Sequence, residues 1–191
     1  MAKELKPTLW RTARALANAD RLNLMRLVSN ANGAKGVSEI AAEAGLPVPT
    51  ASIYLRALNA RGLISVIRMG RYVYYGTGSD RSLPVAIAIQ KSFRRLFARA
   101  RLPGNWTDLL LPALRAYSSP RRETILRILL KHPHICHSEM LGRSGMCKTT
   151  FLRHLAILED AGVAVCDSTG FYSLAKPRNS LESVFADTLR Q

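Results

Sequence analysis

Apolar residues along this chain recur mostly at intervals of three and four, and alternate in only two short stretches, which predicts helices with two small hairpins. Leu9, Ala13, Leu16 and Ala17 share one side of a helix over about 8–18. Leu24, Leu27 and Val28 share a face of a second, over about 21–31, with Asp20 as its expected cap and Gly33 and Gly36 as its stop. Ser38 is the expected N-cap of a third helix with Ile40, Ala41 and Ala44 inward, and Gly45 ends it in a left-handed conformation. Leu46-Pro47-Val48-Pro49 then makes a tight connection, because proline is tolerated in a first helical turn.

The helix that follows, about 48–60, turns Ala51, Leu55 and Leu58 inward. Small Ala41 against small Ala51 allows a close, steep crossing of these two helices. Gly62 ends the second of them, Leu63 to Ile67 starts a strand, Arg68-Met69-Gly70-Arg71 forms its turn, and Tyr72-Val73-Tyr74-Tyr75 returns.

A helix over about 82–101 gathers Ile89, Phe93, Leu96, Phe97 and Ala100 on one side. Its burying partner is left open between a second copy of the chain, the amino-terminal helix and the stretch after Pro103-Gly104. That stretch, with Trp106, Leu109, Leu110, Leu111, Leu114 and Tyr117 around Pro112, is expected to be a packing hub. Further on, Ser119-Pro120 opens a helix with Ile125, Ile128 and Leu129 inside, ended by His132-Pro133. A short helix at Ser138 to Leu141, a turn at Gly145, a helix from Met146 to Asp160 with Phe151, Leu155 and Leu158 inside, and a second hairpin with Asp167 at its tip follow. A tail helix over about 180–190, capped by Ser180, shows Leu181, Val184, Phe185 and Leu189 on one side and is expected to close over the second unit or join a dimer contact.

Segments 38–72 and 138–172 are thus two copies of one pattern. Identities fall at Ser38/Ser138, Glu39/Glu139, Gly45/Gly145, Thr50/Thr150, Leu55/Leu155, Leu58/Leu158, Gly62/Gly162, Gly70/Gly170 and Tyr72/Tyr172. The expected fold is mainly α with small β-hairpins: two winged helix-turn-helix domains joined by a helical connector. Expected boundaries are 8–78 for the first, 79–117 for the connector and possible dimerisation region, 118–176 for the second and 177–191 for a C-terminal helix.

Charge changes the picture more than composition does. The net charge of +15 favours a polyanionic partner, with RNA and anionic membranes as suited to charge alone as DNA. Residues 1–100 carry 16 Lys/Arg against five Asp/Glu, and the remainder 12 against eight, so the first half should feel phosphate more strongly. No apolar run of ~18 residues and no signal-peptide pattern occurs, so a cytoplasmic protein without a membrane partner is expected. Three cysteines without paired spacing argue against a secreted disulfide scaffold.

The outward face of the 48–60 helix carries Val48, Pro49, Thr50, Ser52, Ile53 and Arg56. Hydroxyls bond phosphates or base edges, branched side chains meet thymine methyls, and arginine reaches phosphate or guanine. Arg68 and Arg71 at the first hairpin tip suit the backbone or a minor groove. The second unit offers Cys147, Lys148, Thr149, Leu152 and Arg153, but Asp167 where the first has arginine, so the first should contribute more affinity. His132, His134, Cys136 and His137, with Cys147 nearby, are the candidates for a metal, or, for the thiols, oxidant sensing; Pro133 distorts their spacing, and a structural role is the expected one. His154 is expected to be a partly exposed member of its helix. With no phosphate loop, HExxH or GxSxG pattern, neither an enzyme nor a cofactor is expected.

Gly45 to Ile64 (GLPVPTASIYLRALNARGLI) and Gly145 to Val163 (GMCKTTFLRHLAILEDAGV) resemble the turn, reader helix and strand entry of ArsR-type winged-helix regulators. Together the two stretches are 39 residues, about a fifth of the chain. The resemblance implies sequence-specific binding of double-stranded DNA, commonly as a homodimer that occludes or organises a promoter. It places base contacts on Val48, Pro49, Thr50, Ser52 and Ile53 and backbone contacts on Arg56, Arg68 and Arg71. The metal-sensing cysteines of such regulators have no counterpart in the first unit, and two heads in one chain depart from the usual one. The leading expectation is a transcriptional regulator acting as a repressor. The alternatives are a plasmid or phage replication initiator reading iterated sites, and a winged-helix module that binds protein.

Overall fold

Asn18, rather than Asp20, caps the helix that begins the first repeat. The computed structural model describes residues 8–78, 84–98 and 104–190. In it α1 (Leu9–Leu16) buries Leu9, Ala13 and Leu16, and α2 (Ala19–Asn30) starts where the Asn18 side-chain oxygen accepts from the Arg21 N–H at 3.0 Å. Asp20 sits in the first turn, where its charge complements the helix dipole. Leu22, Leu24, Met25 and Val28 make the buried stripe of α2, and Leu27 is half-buried at its margin.

β1 (Lys35–Gly36) leads directly into α3 (Val37–Ala44). Ser38 therefore lies inside the helix and makes no capping bond; Gly36 occupies the cap position. Gly45 closes α3 at φ 66°, as expected of a left-handed C-terminal residue. α4 (Val48–Asn59) buries Ala51, Leu55 and Leu58, and Ala41 and Ala51 are both buried where α3 and α4 pack. Leu63 and Ile64 go into the core ahead of β2 (Ser65–Met69), which pairs antiparallel with β3 (Tyr72–Gly76). β1 adds to the other edge, giving the order β1-β3-β2.

The same succession recurs after two helices, α5 (Pro84–Ala98) and α6 (Trp106–Tyr117). It runs α7 (Pro120–Lys131), β4 (Ile135–Cys136), α8 (His137–Ser144), α9 (Lys148–Asp160), β5 (Ala164–Cys166) and β6 (Phe171–Leu174), with sheet order β4-β6-β5. Leu126 takes the buried place in α7 expected for Ile128, which is half-buried. The chain closes with α10 (Ser180–Arg190), capped by Asn179, whose side-chain oxygen accepts from the N–H groups of Leu181 and Glu182 at 3.0 and 2.9 Å. Ser180, the expected cap, is already helical.

The apolar faces that sequence left unassigned find partners within the chain. Ile89, Phe93 and Phe97 of α5 are buried, and α5 packs on α10 and α2. Ala100, the last residue of that expected stripe, lies outside the described residues. α6 packs on α1 and also touches α2, α7 and α9, which fits a hub. α10 reaches α7 and α1 as well as α5, and buries Leu181, Phe185, Ala186 and Leu189. Burying each such large side chain contributes about 1.5–3 kcal/mol, enough in sum to tie the two halves into a common core.

Candidate nucleic-acid interface

The α3–turn–α4 unit leaves one strip of α4 in solvent. Val48, Pro49, Ile53 and Arg56 are exposed, Ile53 by 58%, and Thr50 and Ser52 are half-exposed beside them. These six are the residues that sequence placed there. Arg56 Nε donates to the Ser52 carbonyl at 3.3 Å, which lays the guanidinium along the helix. Tyr54 turns sideways beneath Arg21, the guanidinium lying 5.5 Å from the ring centroid.

The hairpin beside α4 turns in two residues, Gly70 and Arg71, with Met69 paired to Tyr72 and Gly70 at φ 58°. Arg71 is at the tip, where its Nη2 donates to the Tyr72 hydroxyl at 3.0 Å and the guanidinium covers that ring. Arg68 stands one pair behind the turn, opposite Val73, rather than in the turn itself. Burial raises the Tyr75 phenol above its ordinary value, while the charges of Arg56 on α4 and Arg68 on the hairpin oppose that rise. Sequence missed the aromatic and apolar side of this hairpin. Met69 and Tyr72 are 62% and 55% exposed, with Ile67 on the same face, a pattern legible only once the register of β2 and β3 is known.

In the second unit Lys148, Thr149, Leu152 and Arg153 line the exposed strip of α9. Exposed Cys147 Sγ lies 3.2 Å from Thr150 Oγ1, and the Thr150 hydroxyl and N–H, as donors to the thiolate, lower its thiol pKa. The second hairpin is shorter. Cys166 pairs with Tyr172 where Val66 pairs with Tyr75, so Tyr172 stands in the place of Tyr75, not of Tyr72 as the sequence identity suggested. Its hydroxyl donates to Glu159 Oε1 at 3.0 Å and fastens the hairpin to α9. Asp167 Oδ1 accepts from the N–H groups of Thr169 and Phe171 and from the Thr169 hydroxyl, which holds the carboxyl below its usual range. The second turn thus carries a fixed anion at the position beyond which the first extends its arginines.

The histidine and cysteine candidates disperse. His134, at φ 82°, stacks on Phe171 and faces Asp167 with Nδ1 3.3 Å from Oδ2. His137 sits edge-on to Phe151, and Cys136 Sγ lies 3.3 Å from Ser138 Oγ. Among the described residues no three His, Cys, Asp or Glu side chains gather in metal-ligating geometry, so His132, His134, Cys136, His137 and Cys147 are not brought together as a site. His154 is buried, 8% exposed, against the expectation of a partly exposed side chain, because Arg122 draws it inward with Nη1 3.3 Å from Nδ1.

Residues 21–66, from the first turn of α2 into β2, match the IclR helix-turn-helix domain. No curated protein matches the chain. The match supports a helix-turn-helix DNA-binding regulator; it favours neither the ArsR type nor a tandem arrangement. Among the described residues no helix is long and apolar enough to cross a membrane.

Proposed function

We propose that this protein is a sequence-specific double-stranded DNA-binding transcriptional regulator with two winged helix-turn-helix heads. α4 is the principal reader, inserting Val48, Pro49, Thr50, Ser52 and Ile53 into a major groove. Arg56, Arg68 and Arg71 hold the sugar-phosphate backbone, and Arg71 with Tyr72 carries the wing toward the minor groove. In the second head, Lys148, Thr149, Leu152 and Arg153 take the corresponding places on α9. The observation that carries this reading is the exposed strip of α4, inside the segment that matches a known helix-turn-helix domain, followed along the chain by a hairpin that bears two exposed arginines just past that segment. The net charge of +15 supports it, since counterion release favours a polyanion of any sequence.

Base-facing residues on α4 give the reading its specificity. Selection of bound duplexes from a random pool at fixed salt should return a recurring motif, bound at least ~10³-fold more tightly than random duplex. Chromatin occupancy at that motif, with transcription of the adjacent genes rising on deletion, is the outcome expected of a repressor. Equal affinity for selected and random duplexes would refute sequence-specific regulation.

A further inference from the structure

We infer that this chain is a single-chain counterpart of a two-fold dimer, and that one monomer engages one duplex site composed of two unlike boxes in inverted orientation. The inference rests on the DNA-reading proposal above and adds the geometry of the target.

The duplication extends beyond the two reader units. Arg21, third residue of α2, donates from Nε to the Ala15 carbonyl at 2.6 Å and from Nη2 to the Arg14 carbonyl at 3.1 Å. Arg122, third residue of α7, donates from Nε to the Ala116 carbonyl at 2.9 Å and from Nη2 to the Arg115 carbonyl at 2.6 Å. The same arginine clamp fixes the last turn of α1 to α2 and the last turn of α6 to α7. Tyr54 and His154, equivalent places on the two reader helices, each face that clamp. α6 is therefore the counterpart of α1.

The helices after the hairpins correspond as well. Gln90 of α5 donates to the Leu63 carbonyl at 2.7 Å, just past the end of α4. Arg178, leading into α10, donates to the Ala161 carbonyl at 2.7 Å, just past the end of α9. Different side chains tie each following helix to the turn after its reader helix, at Gly62 and Leu63 in the first half and at Ala161 in the second. Each half of the chain thus reads as one complete protomer, α1 to α5 and α6 to α10.

Counterparts pack on counterparts. α1 lies against α6, and α5 lies against α10, joined further by Ser92 Oγ donating to the Ser180 carbonyl at 3.2 Å. The cross pairs are reciprocal too: α1 touches α10, and Phe97 of α5 meets Trp106 of α6 edge-on at 5.5 Å. Such self-matched contacts define an isologous, two-fold interface; a head-to-tail array would pair unlike helices and leave a surface open at each end. Duplex DNA has two-fold axes across its own grooves, so heads related in this way read inverted boxes, spaced by about 10 base pairs or a multiple.

The heads are related but not identical, which a homodimer cannot achieve. Val48, Pro49 and Ile53 on one reader stand where Lys148, Thr149 and Arg153 stand on the other. One hairpin extends Arg68 and Arg71, and the other ends in Asp167. The boxes must then differ in sequence, and the orientation of the site becomes fixed.

The test uses the full chain. Its mass is measured by light scattering alone and with duplexes selected from a random pool, and each box is scrambled in turn. The expected results are a monomer free in solution, one chain per duplex, and a motif of two unlike inverted boxes. Scrambling either box should cost at least about tenfold in affinity. Thr50→Ala/Ile53→Ala should blunt discrimination at one box only, and Lys148→Ala/Arg153→Ala at the other. A free dimer, two chains on a palindrome, directly repeated boxes, or a single box sufficient for full affinity would overturn the inference while leaving DNA reading intact. Failure to bind any duplex at about 50 mM salt would be a different result, sinking the DNA-reading proposal and this inference with it.

Discussion

Arg122 Nη1 lies 3.3 Å from His154 Nδ1 inside the second unit, and the imidazole must therefore be the acceptor. Arg122 is committed by its other donors to the carbonyls of Arg115 and Ala116 and the hydroxyl of Ser118. Burial first, then the charges of Arg122, Arg153 and Arg121, lowers the His154 pKa below its ordinary value. Nε2 therefore carries the proton of the neutral ring and is buried without a partner, and a second proton would have to sit on Nδ1, facing the Arg122 guanidinium.

A histidine depressed in the folded state binds its proton more readily when unfolded. Stability from this site is therefore fully present above about pH 6.5, the unfolded value, and is lost as pH falls below it toward the folded value. Between about pH 6.5 and 5 the melting temperature should therefore drop. His154→Tyr, which installs the residue that faces Arg21 in the first unit, should flatten that part of the pH profile. A wild-type melting temperature that is level or rising on acidification across this interval would contradict the assignment.

The two hairpins should differ in their grip on phosphate. Arg68→Ala/Arg71→Ala removes the two cations of the longer hairpin, and should reduce the slope of log affinity against log salt by roughly 2 while weakening all duplexes alike. Lys148→Ala/Arg153→Ala should cost less total affinity, because Asp167 already sets the charge of that hairpin. Titrations of both variants at several salt concentrations rank them, and a larger loss from the α9 pair would reverse the ranking.

Two exposed glycines should respond oppositely to alanine. Gly45 has open space where a Cβ would stand but holds φ at 66°, so Gly45→Ala should destabilise by roughly 1 kcal/mol through backbone strain alone. Gly142 lies within α8, also with open space and no positive φ, and Gly142→Ala should stabilise by about 0.5–1 kcal/mol. Thermal melts of the two variants decide this, and shifts of the same sign would be inconsistent with the turn geometry.

Periodicity located the reader helices because their buried positions, Ala51, Leu55 and Leu58 or Phe151, Leu155 and Leu158, form an uninterrupted helical stripe bounded by glycines. The exposed strip followed as its complement. Caps were less legible, since Asn18 and Asp20, or Asn179 and Ser180, are polar residues one or two positions apart and only backbone geometry decides which lies outside the helix. β1 and β4 are two residues each and exist through pairing with a distant strand, so no local alternation marks them. The partner of α5 was hidden for the same reason: α10 lies some 90 residues away in sequence, and an apolar stripe does not name what covers it. The hairpin register misled because matching Tyr72 with Tyr172 ignores the shorter arms of the second hairpin.

The most direct test of the central claim compares affinity for selected and random duplexes in the wild type and in Thr50→Ala/Ser52→Ala/Ile53→Ala, at one salt concentration. Reading by α4 predicts that the triple variant loses most of the discrimination, at least tenfold, while its affinity for random duplex changes little. Discrimination that survives these three changes intact would contradict the placement of α4 in the major groove.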